Sequence, residues 1–172
     1  RLRWGIETNL APAFLGTSSR SGQMNKSVAQ INGPDRPNRA DILHEYFVAP
    51  ERFADFIKVC RAIIPASDQD LLNVTLRWVE RDTGSLLSYA PGGPRIAAVM
   101  NFSQMLTQEA EENAKIMTRQ LIDAVHTLGG SYYLPYRPHA TVDQFSSVYT
   151  RATEFASLKR SVDPNQLFRS AF

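Results

Sequence analysis

The chain has 172 residues, of which 43% are hydrophobic and 21% charged, so it can bury the core of one domain of ordinary size. The net charge of +2 is too small, and the basic residues are too scattered, to predict a nucleic-acid partner. The single cysteine, Cys60, excludes an internal disulfide and a multi-cysteine zinc site. No apolar run approaches the ~20 residues that cross a bilayer, so no membrane span is expected.

Residues 1–40 are predicted to be an irregular connecting segment. They are rich in Gly, Pro, Ser and Asn and lack the apolar density that independent folding requires. A structureless stretch of this length is uncommon inside a compact domain, so we expect it to pack against a partner. Because the chain starts at Arg1 rather than Met, we expect it to be an internal or processed piece. Its cysteine usage favours a cytoplasmic location.

The next part of the sequence has the pattern of a strand, a helix and a second strand. Residues 42–48 are aromatic and β-branched, which predicts a strand. Apolar residues then recur at helical spacing over 51–64, and Pro65 ends this helix. Residues 71–80 alternate between apolar and polar side chains, as a strand with one buried face does. We expect the helices to bury the apolar set of that strand, which comprises Leu72, Val74, Leu76 and Trp78.

The same order of elements then repeats. Residues 95–102 are predicted to form a third strand and 131–134 a short fourth one. A long helix over 107–128 separates them, with Thr107 as its N-cap and two glycines after its last residue. The order βαββαβ is that of a ferredoxin-like α+β domain, here residues 41–135. We expect an antiparallel sheet with both helices on one face and the other face available to a partner.

Residues 136–172 are predicted to form a separate C-terminal helical segment. Helices are expected near 142–149 and 152–160, followed by a turn at 163–167 that contains Asp-Pro. This segment is not needed to complete the ferredoxin-like fold. We therefore expect it to contact another domain.

The uncovered face of the predicted sheet is polar and is the first candidate site. Strand alternation places Asn73, Thr75 and Arg77 there from the second strand, with Asn101 and Glu45 from the third and first. Such a set of amide, hydroxyl, guanidinium and carboxylate groups suits a polar ligand. The alternative is a solvated face, which antiparallel sheets commonly have, and periodicity alone leaves both interpretations open. Short Asn and Thr in place of Lys and Glu favour a packed site.

The segment 132–139 is the second candidate site because it is dense in hydrogen-bonding groups. Tyr133, Arg137 and His139 could orient a hydroxylated substrate or polarise a carbonyl group. The alternative is a structural turn whose tyrosines cap the core. His44 and His126 are expected to be structural or exposed, and no two histidines have ligand spacing, so no metal site is predicted.

Three stretches resemble one known family over approximately residues 40–172. They are DILHEYFV at residues 41–48, LLNVTLR at 71–77, and the tail that runs from the tyrosine segment to SVDPNQLF at 161–168. The first two are similar to the entry and the second strand of a substrate domain, and the third to a C-terminus. The family is that of the FAD-linked oxidases of the vanillyl-alcohol oxidase type, which have a PCMH-type FAD-binding domain.

This resemblance implies a fold, a cofactor and a partner. In the family, an N-terminal two-part domain binds FAD, a second domain lays an antiparallel sheet over the isoalloxazine ring, and substrate is oxidised between them. The chain would then be the substrate domain of an FAD-dependent oxidoreductase that oxidises an alcohol or hydroxylated small molecule. Its partner would be an FAD-binding domain, either a missing N-terminal part or a separate chain. We expect the 172 residues to be inactive alone.

The resemblance also assigns roles to the candidate residues. Glu45 and Arg77 would be catalytic, whereas Asn73, Thr75, Asn101 and Tyr133 would bind substrate and Arg137, His139 and Asn165 would contact FAD. The Arg-Pro-His motif is similar to the tail of aldonolactone and alditol oxidases, which continue with Trp-Gly-Lys. This chain continues with Ala140-Thr-Val, so that substrate class is not carried over. The alternative to this function is a free-standing ferredoxin-like module that binds a small ligand or a second copy, without catalysis.

Overall fold

The computed structural model describes residues 36–169. The expected connecting segment, residues 1–40, lies almost entirely outside this range, and its irregular character stays a prediction. Within the described range the fold is α+β, with an antiparallel sheet of four strands and four α-helices. The predicted fold class is therefore confirmed.

The strands are β1 (Arg39–Val48), β2 (Asp70–Val79), β3 (Arg95–Met105) and β4 (Ser131–Tyr132). Their order in the sheet is β2-β3-β1-β4, and all neighbouring pairs are antiparallel. This order is compatible with a ferredoxin-like fold. It makes β1 and β3 the central strands, and β2 and the two-residue β4 the edges.

The helices begin and end at signals that are local to the sequence. Helix α1 (Phe53–Ile63) lies between single 3-10 turns, and α2 (Gln108–Thr127) begins where the Thr107 hydroxyl accepts the Ala110 amide at 3.2 Å. Gly129 then takes a positive φ of 69°, a left-handed conformation that favours glycine and ends α2. Helices α3 (Val142–Val148) and α4 (Ala152–Val162) follow in the C-terminal segment.

The core lies between the two long helices and one face of the central strands. Phe56 and Cys60 of α1, and Met117 and Leu121 of α2, belong to one buried cluster. The strand members of that cluster occupy alternate positions of β1 and β3, and therefore one sheet face: Tyr46, Val48, Ala98, Met100 and Phe102. Both helices thus cover the same face, as the βαββαβ order predicts. The opposite face of β1 carries the odd-numbered residues, Glu45 among them.

The prediction that the helices bury the apolar side chains of β2 is wrong. Leu76 is 53% exposed and Trp78 58%, and Val74 is exposed as well. The physical reason is position, because β2 is an edge strand and the helices pack over the central pair. A bulge also shifts the register at Leu72, so that Leu71 rather than Leu72 pairs with Phe102.

Candidate active site on the open sheet face

Strand register brings the predicted sheet-face residues onto one surface. Thr75 of β2 pairs with Val99 of β3, which in turn pairs with Glu45 of β1. In the next row Arg77 pairs with Ala97, and Ala97 with Phe47; in the row on the other side Asn73 pairs with Asn101. Ala97 and Val99 of β3 lie between the polar side chains of β2 and the side chains of β1, and both are buried. We call this surface the open face.

The most unusual group on the open face is the Glu45 carboxylate. Glu45 is only 8% exposed, yet within residues 36–169 its carboxylate forms no hydrogen bond or ion pair. Burial raises the pKa of this carboxyl, and the positive charge of Arg77 opposes that shift without cancelling it. A buried carboxylate normally has a partner, so its isolation is a property of a site rather than of a core.

Tyrosine rings wall the open face beside Glu45. Tyr89, from the loop between β2 and β3, stacks on Phe47 with ring centroids 4.4 Å apart and planes at 10°. Tyr133 meets Tyr89 edge-on at 5.9 Å, and Tyr136 meets Tyr133 at 4.7 Å. The backbone amide of Tyr133 donates to the carbonyl oxygen of Glu45 at 2.9 Å, which continues the β4 side of the sheet past the end of that strand.

The tyrosines are electrostatically coupled to Glu45. Burial is the largest cause that raises the pKa of Tyr89 and of Tyr136, and the negative charge of Glu45 contributes to both shifts. The phenols therefore stay protonated at neutral pH and can donate hydrogen bonds to a ligand oxygen. Arg77 acts in the opposite direction on Tyr136. These effects place the carboxylate, the phenols and the guanidinium within one electrostatic neighbourhood.

Arg77 is the cation of this surface. It is exposed and forms no direct ion pair with Glu45, although its charge affects the Glu45 pKa. The two opposite charges are thus near enough to affect each other without forming an ion pair. Asn73 donates to the Thr75 hydroxyl at 3.4 Å, so the polar side chains of β2 are ordered along one line.

The predicted cofactor contacts Arg137 and His139 belong to a cluster on helix α2. Glu111 accepts hydrogen bonds from His139 Nε2 at 2.9 Å, Arg137 Nη1 at 3.2 Å and Gln104 Nε2 at 2.8 Å. The Gln104 bond is the largest cause that lowers the pKa of Glu111, and His139 and Arg137 lower it further. Since a carboxylate only accepts, the His139 bond requires a proton on Nε2.

His139 is engaged inside the domain. It is 5% exposed, its Nδ1 lies 3.3 Å from the Thr118 hydroxyl, and its carbonyl oxygen accepts from Arg119 Nε at 2.8 Å. Both ring nitrogens therefore face α2, and its contact with a cofactor stays a prediction. Arg137, whose side chain is 31% exposed, is the more accessible of the two.

The third predicted cofactor residue, Asn165, lies in the exposed turn after α4. The Asp163 carboxylate holds this turn by accepting the amides of Leu167 at 2.8 Å and Phe168 at 3.1 Å. Within the described range no hydrogen bond joins Asn165 to the open face. The structure therefore unites Glu45, Arg77 and the substrate-binding candidates, and leaves Asn165 with the C-terminal segment.

Sequence reasoning missed Tyr89 and did not select Tyr136. Tyr89 stands in a Pro- and Gly-rich loop, and only the fold shows that this loop returns across Phe47. The loop is fixed because the Ser131 hydroxyl donates to the Tyr89 carbonyl oxygen at 2.8 Å. Tyr136 was visible as part of the tyrosine segment, and the number of aromatic residues there was the available signal.

Comparison with known proteins gives no family for this chain, since its sequence matches no protein-family model and no curated protein. Residues 36–169 contain no group of three or more His, Cys, Asp or Glu side chains that could hold a metal ion. In the same range no helix is long and apolar enough to cross a membrane.

Proposed function

We propose that the chain is the substrate-facing part of a flavin-dependent oxidoreductase that oxidises an alcohol or hydroxylated small molecule. The observation that carries the proposal is the buried, unpaired carboxylate of Glu45 on a tyrosine-walled sheet face, with Arg77 facing the same space. A carboxyl with a raised pKa is suited to accept a proton near neutral pH.

Oxidation of an alcohol removes a proton from oxygen and a hydride from carbon. In the proposed reaction the Glu45 carboxylate accepts the hydroxyl proton as the C–H bond breaks and the carbonyl forms. FAD, held by another domain, supplies the acceptor for the hydride. Arg77 stabilises the negative charge that develops between substrate and acceptor, which is where a fixed cation lowers the barrier.

The remaining polar groups of the open face position the substrate. Asn73, Thr75, Asn101 and Tyr133 offer amide and hydroxyl groups to the other oxygens of a hydroxylated molecule. Of Arg137 and His139, Arg137 is the better placed to contact a cofactor edge, because part of its side chain is exposed.

The C-terminal segment supports the need for a partner domain. Phe155, Leu158 and Val162 recur at helical spacing on α4 and are exposed, Val162 to 71%. Leu167 and Phe168, in the tail that Asp163 anchors, are 78% and 80% exposed. Exposed apolar side chains in this number are typical of an interaction site. We assign it to the FAD-binding domain.

The test is to purify the protein in which this chain is joined to its FAD-binding domain and to record its absorption spectrum. We expect bound flavin, and we expect Glu45→Gln to retain the flavin while slowing its anaerobic reduction by alcohols by about 100-fold or more. Glu51→Gln, at an exposed position before α1, is the matched control, and its flavin should be reduced at the wild-type rate. Absence of flavin, or normal reduction in Glu45→Gln, would contradict the proposal.

The exposed apolar surface of β2 favours a second candidate function, a self-associating module without catalysis. Leu76 and Trp78 lie on an edge strand, where unpaired backbone groups can pair with a second copy. Sedimentation velocity decides this point. A dimer that Leu76→Lys converts to a monomer would support the module, and a wild-type monomer across the concentration range would exclude it.

A further inference from the structure

The segment that follows β4 brings a further phenol, that of Tyr136, to the Glu45 side of the open face. Tyr136 is half-buried, and its ring meets the ring of Tyr133 edge-on at 4.7 Å. Leu43, Glu45, Tyr133 and Tyr136 are among the residues that line one cleft beside the end of β4. Tyr136 therefore reaches this face although it belongs to no strand.

Both charges of the open face act on the Tyr136 phenol. Burial is the largest cause that raises the pKa of Tyr136, and the negative charge of Glu45 raises it further, followed by Tyr133. The positive charge of Arg77 lowers it. Because charge interactions weaken with distance, the phenol lies near both groups. The pKa of Tyr89 also responds to Glu45, but Arg77 is not among the causes of its shift.

The Tyr136 hydroxyl is available to a ligand. In the part of the chain that the structure describes, this hydroxyl forms no hydrogen bond. Since the pKa is raised, the phenol keeps its proton at neutral pH. It therefore offers an O–H donor beside the Glu45 carboxylate, which only accepts.

The segment that carries Tyr136 is held on both sides. Before it, the Tyr133 amide donates to the Glu45 carbonyl oxygen at 2.9 Å. After it, Arg137 Nη1 and His139 Nε2 donate to the Glu111 carboxylate on α2 at 3.2 and 2.9 Å. A donor that is fixed before the reaction needs little reorganisation when charge develops next to it.

We propose that Tyr136 contacts the substrate and donates a hydrogen bond to the oxygen atom that is oxidised. This inference rests on the proposed function, in which Glu45 accepts the hydroxyl proton. As the O–H bond breaks and the hydride leaves carbon for FAD, negative charge develops on that oxygen until the carbonyl is complete. The Tyr136 O–H stabilises this charge and keeps its own proton, so Glu45 remains the proton acceptor. Tyr136 is thus a further catalytic residue of the proposed reaction.

The position of the phenol can be tested without flavin, in the 172-residue chain. NMR of chains with labelled tyrosine rings follows the ionisation of Tyr136 with pH. Glu45→Gln removes a negative charge and should lower the pKa of Tyr136, whereas Arg77→Ala removes a positive charge and should raise it. Glu51→Gln, at an exposed position before α1, is the control and should leave it unchanged. Opposite shifts support the proposal, and an unchanged Tyr136 pKa in either of the first two variants overturns it.

Tyr136→Phe tests the role of the phenol in a protein that joins this chain to the proposed FAD-binding domain. We expect the variant to retain flavin and its limiting rate of anaerobic reduction by alcohols to fall by roughly 100-fold or more. The substrate concentration at half the limiting rate should change little, because the bond strengthens only as charge develops. Tyr132→Phe is the matched control, since the Tyr132 ring lies in the core cluster, and its flavin should be reduced at the wild-type rate.

Glu45→Gln separates failure of this inference from failure of the proposed function. Slow reduction in Glu45→Gln together with wild-type reduction in Tyr136→Phe overturns the role of Tyr136 and leaves the proposed function standing. Wild-type reduction in Glu45→Gln overturns the proposed function itself. If Tyr136→Phe does not fold, the titration of Tyr136 in the Glu45 and Arg77 variants decides the matter.

Discussion

Glu45 and Glu111 have pKa values that are shifted in opposite directions, because their environments differ. Glu45 is buried without a partner, and burial raises its pKa, whereas the pKa of Glu111 is lowered, first by its bond from Gln104. Pairs of titratable groups whose environments move their pKa values apart commonly have different roles. Glu45 is suited to exchange a proton, and Glu111 to organise Arg137 and His139.

The raised pKa of Glu45 predicts how stability responds to pH. A carboxyl whose folded-state pKa lies above its unfolded-state value contributes stability that is fully present below the unfolded-state pKa and is lost as pH rises through the folded-state pKa. Since Gln resembles the neutral acid, we expect Glu45→Gln to increase the free energy of unfolding at about pH 7 and to change it less at about pH 3. Urea unfolding at both pH values measures this.

Glu111→Gln is the contrasting variant for that experiment. The folded-state pKa of Glu111 is lowered, so its contribution is present above the unfolded-state pKa and lost as pH falls through the folded-state value. We therefore expect Glu111→Gln to destabilise the chain at neutral pH. Destabilisation by Glu45→Gln at neutral pH would mean that its carboxylate has a stabilising partner, and the proposed base would lose its support.

Among the secondary-structure elements, β2 is the one whose burial was predicted wrongly from the sequence. The alternation over residues 71–80 correctly predicts a strand and correctly places Asn73, Thr75 and Arg77 on one face. The same alternation cannot say whether a helix covers the apolar face, because that depends on the position of β2 in the sheet. In this fold it is an edge, and the apolar face stays exposed.

A pair of leucine substitutions tests this description of β2. Leu76 is 53% exposed and Leu121 of α2 is fully buried. We expect Leu121→Ala to lower the free energy of unfolding by roughly 2–5 kcal/mol, because it leaves a cavity in the core. Leu76→Ala should cost within about 1 kcal/mol, since much of that side chain already contacts water. Equal costs in urea unfolding would show that β2 is covered after all.

Helix ends were the most predictable local features. Thr107 and the two glycines after α2 act through backbone amides and backbone conformation, so their effects are visible in sequence. We expect Thr107→Ala to lower the free energy of unfolding by about 1 kcal/mol, because the Ala110 amide loses its acceptor. Thr83→Ala, in the exposed β2–β3 loop, is the control and should have little effect. No loss in Thr107→Ala would argue against this cap.

Other parts of the fold and site required the three-dimensional structure. β4 is two residues long instead of four, because only Tyr46 and Phe47 of β1 pair with it. The placement of Tyr89 on Phe47 joins residues of different elements, and periodicity carries no such long-range information. The open face itself was predictable, since side chains alternate along each strand.

At the scale of the whole molecule, the described domain presents two surfaces to which the proposed function assigns partners. One is the open face with Glu45 and Arg77, and the other is the apolar surface of α4 and the tail. If FAD is held mainly by another domain, these 172 residues alone should bind it weakly or not at all. Isothermal titration with FAD measures this. Tight stoichiometric binding would contradict the proposal that another domain holds most of the FAD.

The central claim is that the open face lies over the reacting flavin and substrate, and Arg77 tests it most directly. The measurement is anaerobic stopped-flow reduction of the flavin in a protein that joins this chain to the proposed FAD-binding domain. Since Arg77 is exposed, Arg77→Ala should change the free energy of unfolding by no more than about 0.5 kcal/mol. Loss of a fixed cation at the site should nevertheless slow reduction by roughly 100-fold or more. Arg77→Lys should restore only part of the rate, because an ammonium cannot reproduce the planar guanidinium.

Arg61 is an exposed arginine on α1, and Arg61→Ala is the matched control. The flavin of this variant should be reduced at the wild-type rate. The proposed function predicts a large loss in Arg77→Ala, unchanged thermal melting and a normal Arg61→Ala enzyme. An Arg77→Ala enzyme whose flavin is reduced at the wild-type rate would contradict the claim. It would favour the alternative interpretation, in which the open face is solvated.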